Sequence, residues 1–214
     1  MPTTSLTYVF DAYCGWCHGF GPALREFVAA RADRVEMEVI SGGLFLGGNR
    51  APLGAMPHVE RANQRITELT GATFGDGYRR LAEDGSFIMD SEAAAIGFAA
   101  LRSEDPERAL VLAEAMQHAF YVDGRSLSHA STYLRIAETN GLDPDAVLAR
   151  RDSADAAASA AADFARARDL GASSFPTRLV HTPTGVARLG GPTSTATQLI
   201  AALDHHDHAT GVSA

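Results

Sequence analysis

Lysine is absent from this chain, and all 18 basic residues are arginine. That excludes a P-loop lysine, a Schiff-base lysine and a lysine general base. Cysteine is nearly absent too: 214 residues contain two, Cys14 and Cys17, so no disulfide framework can hold the fold. A bridge between residues this close closes a very small loop and stabilises little. The use of the pair should therefore be chemical. Positive charge is short as well, and a net charge of −8 argues against nucleic acid and anionic membrane as partners. No apolar run is long enough to span a bilayer. The start, Met1-Pro2-Thr3-Thr4-Ser5, lacks the basic and apolar regions of a secretory signal, so the chain reads as cytoplasmic. What remains is 46% hydrophobic and 21% charged, a soluble globular composition whose length admits one domain or one domain carrying an insertion.

The chain opens with Leu6 to Phe10, a β-branched and aromatic run that reads as a strand. A helical pattern follows, with Cys17, Phe20, Leu24, Phe27 and Val28 on one face. Val35 to Ile40 reads as a second strand, and Glu36 and Glu38 alternating with apolar residues suit an edge position. Together these make a right-handed βαβ unit. From Gly47 to Leu170 the signals are helical. Asp90, Asp105 and Asp143 read as N-caps, Pro106 and Pro144 as first helical residues, and Gly71 and Gly141 as stops. Val59-Ala62-Ile66-Leu69 and Leu110-Ala113-Met116-Phe120 are apolar faces, and Ala154 to Ala167 predicts one long helix returning to the sheet. Thr177 to His181 and Val186 to Leu189 predict a hairpin, followed by a helix from Pro192 to Leu203. Neither end of this sheet buries its face alone. The expected division is residues 1–46 and 171–208 as one α/β domain, 47–170 as an inserted helical domain, and 209–214 as a tail.

Cys14-Gly15-Trp16-Cys17 lies where the first strand hands over to the helix. Unpaired N–H groups and the positive end of the helix dipole favour a thiolate at Cys14, which makes it the nucleophile. Cys17 lies one turn on, on the apolar stripe, and is placed to resolve a mixed disulfide. Two other readings fit less well. Cys14 to His18 matches the C-x-x-C-H pattern of haem attachment, but an exported chain is not in evidence and the βαβ context is wrong. Structural zinc needs four ligands where this motif supplies two, so no metal and no cofactor is expected. Far along the chain, Phe175-Pro176-Thr177 puts a proline directly before a strand. It is either a plain strand-entry residue or a cis peptide that offers the backbone of Phe175 to an extended substrate.

These features together resemble the DsbA-type branch of the thioredoxin superfamily. More narrowly, Asp11-Ala12-Tyr13-Cys14-Gly15-Trp16-Cys17-His18-Gly19-Phe20-Gly21-Pro22 is similar to the D-x-x-C-x-W-C-x-G-F-x-P signature of its FrnE-like group, and Gly42-Gly43-Leu44 and Met89-Asp90-Ser91 fit that group too. The resemblance implies an α/β thioredoxin fold with an inserted helical domain and thiol–disulfide oxidoreductase activity. It implies Cys14 as nucleophile, Cys17 as resolving residue and Pro176 as a cis-proline facing them. Two departures matter. The pair Gly15-Trp16 replaces the Pro-His of the best-known members, so strong oxidising power is not implied, and no second cysteine pair exists for an internal relay.

Trp16 is expected as an exposed platform for partners, with Phe175, Pro176 and Thr177 completing the surface. Asp11 reads as a turn and cap residue or as a proton acceptor for Cys17, and His18 as a modulator of the thiolate or a solvated helix residue. Asp204-His205-His206-Asp207-His208 reads as a polar tail, with metal binding as the alternative. Expected partners are protein or small-molecule thiols and disulfides, glutathione included. Two other functions share this scaffold: a glutathione-dependent isomerase or transferase, and a redox-sensing module that binds a small molecule in its helical insert.

Overall fold

In the computed structural model, which describes residues 3–210, the β-branched start of the chain forms β1 (Thr4–Phe10), two residues longer than the apolar run alone predicts. It is followed by α1 (Gly15–Ala30) and β2 (Val35–Ser41). Helices α2 (His58–Thr70), α3 (Asp76–Asp84), α4 (Ser91–Glu104), α5 (Ala109–Tyr121), α6 (Ala130–Asn140), α7 (Pro144–Arg151) and α8 (Ala154–Asp169) come next. Strands β3 (Thr177–Thr182) and β4 (Gly185–Arg188) and helix α9 (Ala196–Thr210) close the fold. The sheet order is β2-β1-β3-β4, with β1 parallel to β2 and antiparallel to β3. This is an α/β thioredoxin-like fold with a helical insertion between β2 and β3.

Alternation along β1 separates two buried faces. Leu6, Tyr8 and Phe10 join the main core with Phe20, Leu24 and Phe27 of α1 and Leu199 and Leu203 of α9. Val9 packs on the other face with Ile40, Ala167 and Ala172. The edge position of β2 agrees with its alternating glutamates. Its outer backbone is covered from the insertion: Arg102 of α4 donates to the Val39 carbonyl at 2.6 Å, and Asp163 of α8 accepts from the Ser41 N–H at 3.0 Å. Arg102 and Asp163 also pair with each other at 3.0 Å. One ion pair thus satisfies an exposed sheet edge and fixes two helices against it.

The helix signals hold at most ends. Asp90 and Asp143 cap α4 and α7 through their side chains, and Gly71 and Gly141 terminate α2 and α6 in the left-handed region. Two expectations fail. The predicted apolar face of α2 buries Ile66 but leaves Leu69 exposed, so the face that α2 turns to its neighbours is narrower than the apolar spacing predicts. Residues 204–208 are no tail but the continuing last turns of α9. Asp204 and Asp207 reach Arg31 and Arg34 at 2.9 Å, and those ion pairs hold the polar end of the helix on the body of the protein. The expected tail at 209–214 lies largely outside the described residues.

Candidate active site

The first turn of α1 carries the cysteines. Cys14 is the N-cap residue in extended conformation, and its carbonyl accepts the Cys17 and His18 N–H groups at 3.0 and 3.1 Å. Its sulfur accepts the Cys17 N–H at 3.4 Å and donates to the Phe175 carbonyl, also at 3.4 Å. The Phe175–Pro176 peptide is cis. A residue 161 positions away is therefore brought against the helix start by the turn into β3. Both thiols are free, with Cys14 5% exposed and Cys17 sealed at 0%. Burial pushes the Cys17 thiol well above its ordinary range, and the hydrogen bond and charge of Cys14 add to the effect. Burial also pushes the Tyr8 phenol up, and the neighbouring Cys17 and Cys14 add to the effect.

Asp11 fits the turn-and-cap role. One carboxylate oxygen accepts the Tyr13 N–H at 2.9 Å and the other accepts the Leu44 N–H at 2.7 Å, tying the turn before α1 to the loop after β2. Burial raises its pKa despite these bonds. His18 is not a solvated residue. It stacks on Tyr121 at 4.9 Å and donates from Nε2 to the Thr73 carbonyl at 3.0 Å, and burial lowers its pKa and favours the neutral ring. Trp16 is half-buried against the core rather than an exposed platform, and it shares a cavity wall with the proline loop. Thr177 is buried and donates to the Ser174 carbonyl at 2.7 Å, closing the proline loop.

Beside the cysteines lies a cavity of about 190 Å³ whose walls include Trp16, Phe175, Pro176, Arg178, Arg188 and Pro192. A wider groove of about 750 Å³ runs over the insertion between α2 and α3. Among the described residues no cluster of three or more His, Cys, Asp or Glu is arranged to hold a metal, and no helix is long and apolar enough to cross a membrane.

Sequence reasoning missed Tyr8 and Arg178, and it took Gly42 only as part of a motif that fits the family group. Tyr8 and Arg178 are direct cross-strand neighbours on β1 and β3, so both reach toward α1. A polar tip in the middle of an apolar strand was the available signal for Tyr8. At Gly42, a Cβ would stand 2.0 Å from the Phe175 ring, so only glycine leaves that ring its place beside Cys14.

A buried dithiol pair at a helix start, facing a cis-proline on a thioredoxin-like sheet, defines the class of thiol–disulfide oxidoreductases. Residues 5–192 match the DSBA-like thioredoxin domain, and the chain belongs to that family. It is similar in structure to the cytosolic disulfide reductase DsbM of Pseudomonas aeruginosa, with 25% identity, TM-score 0.79, and 96% of this chain covering 99% of that one. A structure of DsbM with GSH aligns at 24% identity and TM-score 0.74, with 96% and 98% of the chains covered. A candidate protein disulfide isomerase of Nitrosomonas europaea aligns at 22% identity and TM-score 0.85, covering 97% and 98%. Among curated proteins none matches.

Proposed function

We propose that the chain is a cytoplasmic disulfide exchanger of the FrnE-like type, working through Cys14 and Cys17 on thiol partners that include glutathione. The observation that carries this reading is the position of the Cys14 sulfur, between the Cys17 N–H and the Phe175 carbonyl, with Cys17 sealed behind it. Cytosolic DsbM, at 25% identity, supports the compartment, and its structure with GSH supports the small thiol.

In the reductive direction the Cys14 thiolate attacks one sulfur of a partner disulfide. The other sulfur leaves as a thiolate, and Cys14 carries a mixed disulfide. Cys17 then loses its proton and attacks the Cys14 sulfur, expelling the second partner thiolate. Two cysteine thiols become one disulfide, and one partner disulfide becomes two thiols. A thiol pair from outside reverses the sequence. The Cys17 N–H can hold the Cys14 thiolate, while the Phe175 carbonyl, freed of the S–H, is open to an N–H of an extended partner.

The Cys14→Ser variant should lose disulfide exchange at least 1,000-fold in an insulin-reduction assay, on the order of what removing a catalytic nucleophile costs. Cys17→Ser should instead trap a mixed disulfide visible by mass spectrometry. Retained activity in Cys14→Ser would refute the reading.

A further inference from the structure

Arg178 is the one buried arginine among the described residues, at 3% exposure, and it forms no ion pair with any of them. A buried cation without a counter-charge is costly and needs a reason. Its Nε donates to the Leu189 carbonyl at 3.0 Å, its Nη1 lies 3.4 Å from the Pro176 carbonyl, and its face rests on the Phe20 ring at 4.3 Å. Its Nη2 donates to no described residue and is not sealed from solvent. The same cavity wall holds Arg188, whose two terminal nitrogens donate to Thr177 Oγ1 at 3.1 Å and the Gly171 carbonyl at 3.2 Å. Arg188 has no carboxylate partner among the described residues either. Burial lowers the Arg178 pKa, the acidic groups of Tyr8 and Cys17 oppose that, and the charge of Arg188 adds to the lowering. In a chain of net charge −8, where most arginines are paired with acids, two uncompensated ones share one cavity beside the cysteines.

We infer that Arg178 and Arg188 form a carboxylate-binding subsite, which selects small thiols and disulfides carrying a carboxylate near the reacting sulfur. The inference rests on the disulfide-exchange reading and names its substrate class. Planar guanidiniums match a carboxylate through paired N–H donors. A cavity of about 190 Å³ is below the ~300 Å³ where ordinary small-ligand sites begin, so it takes one fragment of a ligand rather than a whole one. Trp16, Phe175 and Pro176 line this cavity, and Phe175 is also the residue whose carbonyl meets the Cys14 sulfur. A thiol held at Cys14 can therefore reach the arginines with a carboxylate on the same small molecule.

The chain has a single tryptophan, Trp16, and it lies on the cavity wall. S-methylglutathione carries the carboxylates but cannot exchange, so its binding reads the subsite without the chemistry. Titration is followed by Trp16 fluorescence and by isothermal titration calorimetry. Saturable binding is expected in the wild type and in Cys14→Ser, and Arg188→Gln should raise Kd about tenfold, the loss of one charge-assisted contact. Arg178→Lys, which keeps the charge and loses the fork, should also weaken binding while its circular dichroism and Tm report on folding. In parallel, the rate ratio of glutathione disulfide to neutral 2-hydroxyethyl disulfide should fall several-fold in Arg188→Gln. No saturable binding by either method, an unchanged Kd in Arg188→Gln, or equal loss of both rates overturns the subsite. Full exchange activity in Cys14→Ser overturns the parent reading instead, and the two failures are separate.

Discussion

Cys17 and Cys14 are the same residue type one helical turn apart, yet their surroundings differ. Cys17 is at 0% exposure, and burial is the largest cause that moves its thiol above the ordinary value of 9.0. The folded reduced protein therefore holds this proton more tightly than the unfolded chain does. The stabilisation is fully present below about pH 9 and is lost as pH rises beyond it, at about 1.4 kcal/mol per pH unit for one group. Urea unfolding of the reduced wild type and of Cys17→Ser, from about pH 8 to about pH 10.5, should show the wild type losing stability faster. Parallel curves would mean that Cys17 is not held as a buried thiol. The placement of the cysteines at the helix start was legible because strand, motif and helix lie within a few residues. Arg178 was not, since a lone arginine in a strand looks like a solvent-facing charge. Its burial follows from the register with Tyr8 and from the Phe20 ring, which are set by pairing over more than 150 residues.

Among the elements, α4 shows which features a sequence displays and which it hides. Its start was readable: Asp90 accepts the Glu92 and Ala93 N–H groups at 3.0 and 3.2 Å, and such caps are local. Gly97 in its middle was not readable, since glycine there only weakens a helix in isolation. A Cβ on Gly97 would lie 2.0 Å from Cζ of Tyr133, whose ring is fully buried and whose hydroxyl donates to the Leu127 carbonyl at 2.7 Å. Two effects oppose each other in Gly97→Ala. Helix propensity gains about 1 kcal/mol, whereas displacing a locked tyrosine costs about 3 kcal/mol as overpacking. The net loss should be about 2 kcal/mol, lowering Tm by roughly 4–8 °C in a chain of this size. Gly48→Ala, where a Cβ meets nothing, is the control and should leave Tm unchanged. Equal Tm values for Gly97→Ala and wild type would show that α4 and α6 are not packed this closely.

For the whole molecule, α9 decides how the two ends of the chain hold one sheet. Leu199 and Leu203 bury its apolar side, and the sequence pattern carried that far. It broke off at Asp204 because aspartate and histidine in a row carry no apolar period. The partners that keep this part helical, Arg31 and Arg34, lie about 170 residues away between α1 and β2. Exposure separates this clamp from ordinary surface pairs. The Asp207 side chain is 3% exposed and Arg34 28%, against 59% and 63% for Arg65 and Glu68. Asp207 also lies 3.5 Å from Thr4 Oγ1, so it reaches the first residue of β1 as well. Removing one partner of a buried pair costs about 3–5 kcal/mol, and partial access of Arg34 to water reduces that to about 2 kcal/mol. Asp207→Ala should therefore shift the urea midpoint clearly downward, while Glu68→Ala should move it by less than about 0.5 kcal/mol. Because the clamp ties α9 to the strand that carries Tyr8 rather than to the cysteines, the folded fraction of Asp207→Ala should keep its rate of disulfide exchange. A loss of rate in fully folded protein would place the clamp within the reaction instead of beneath it.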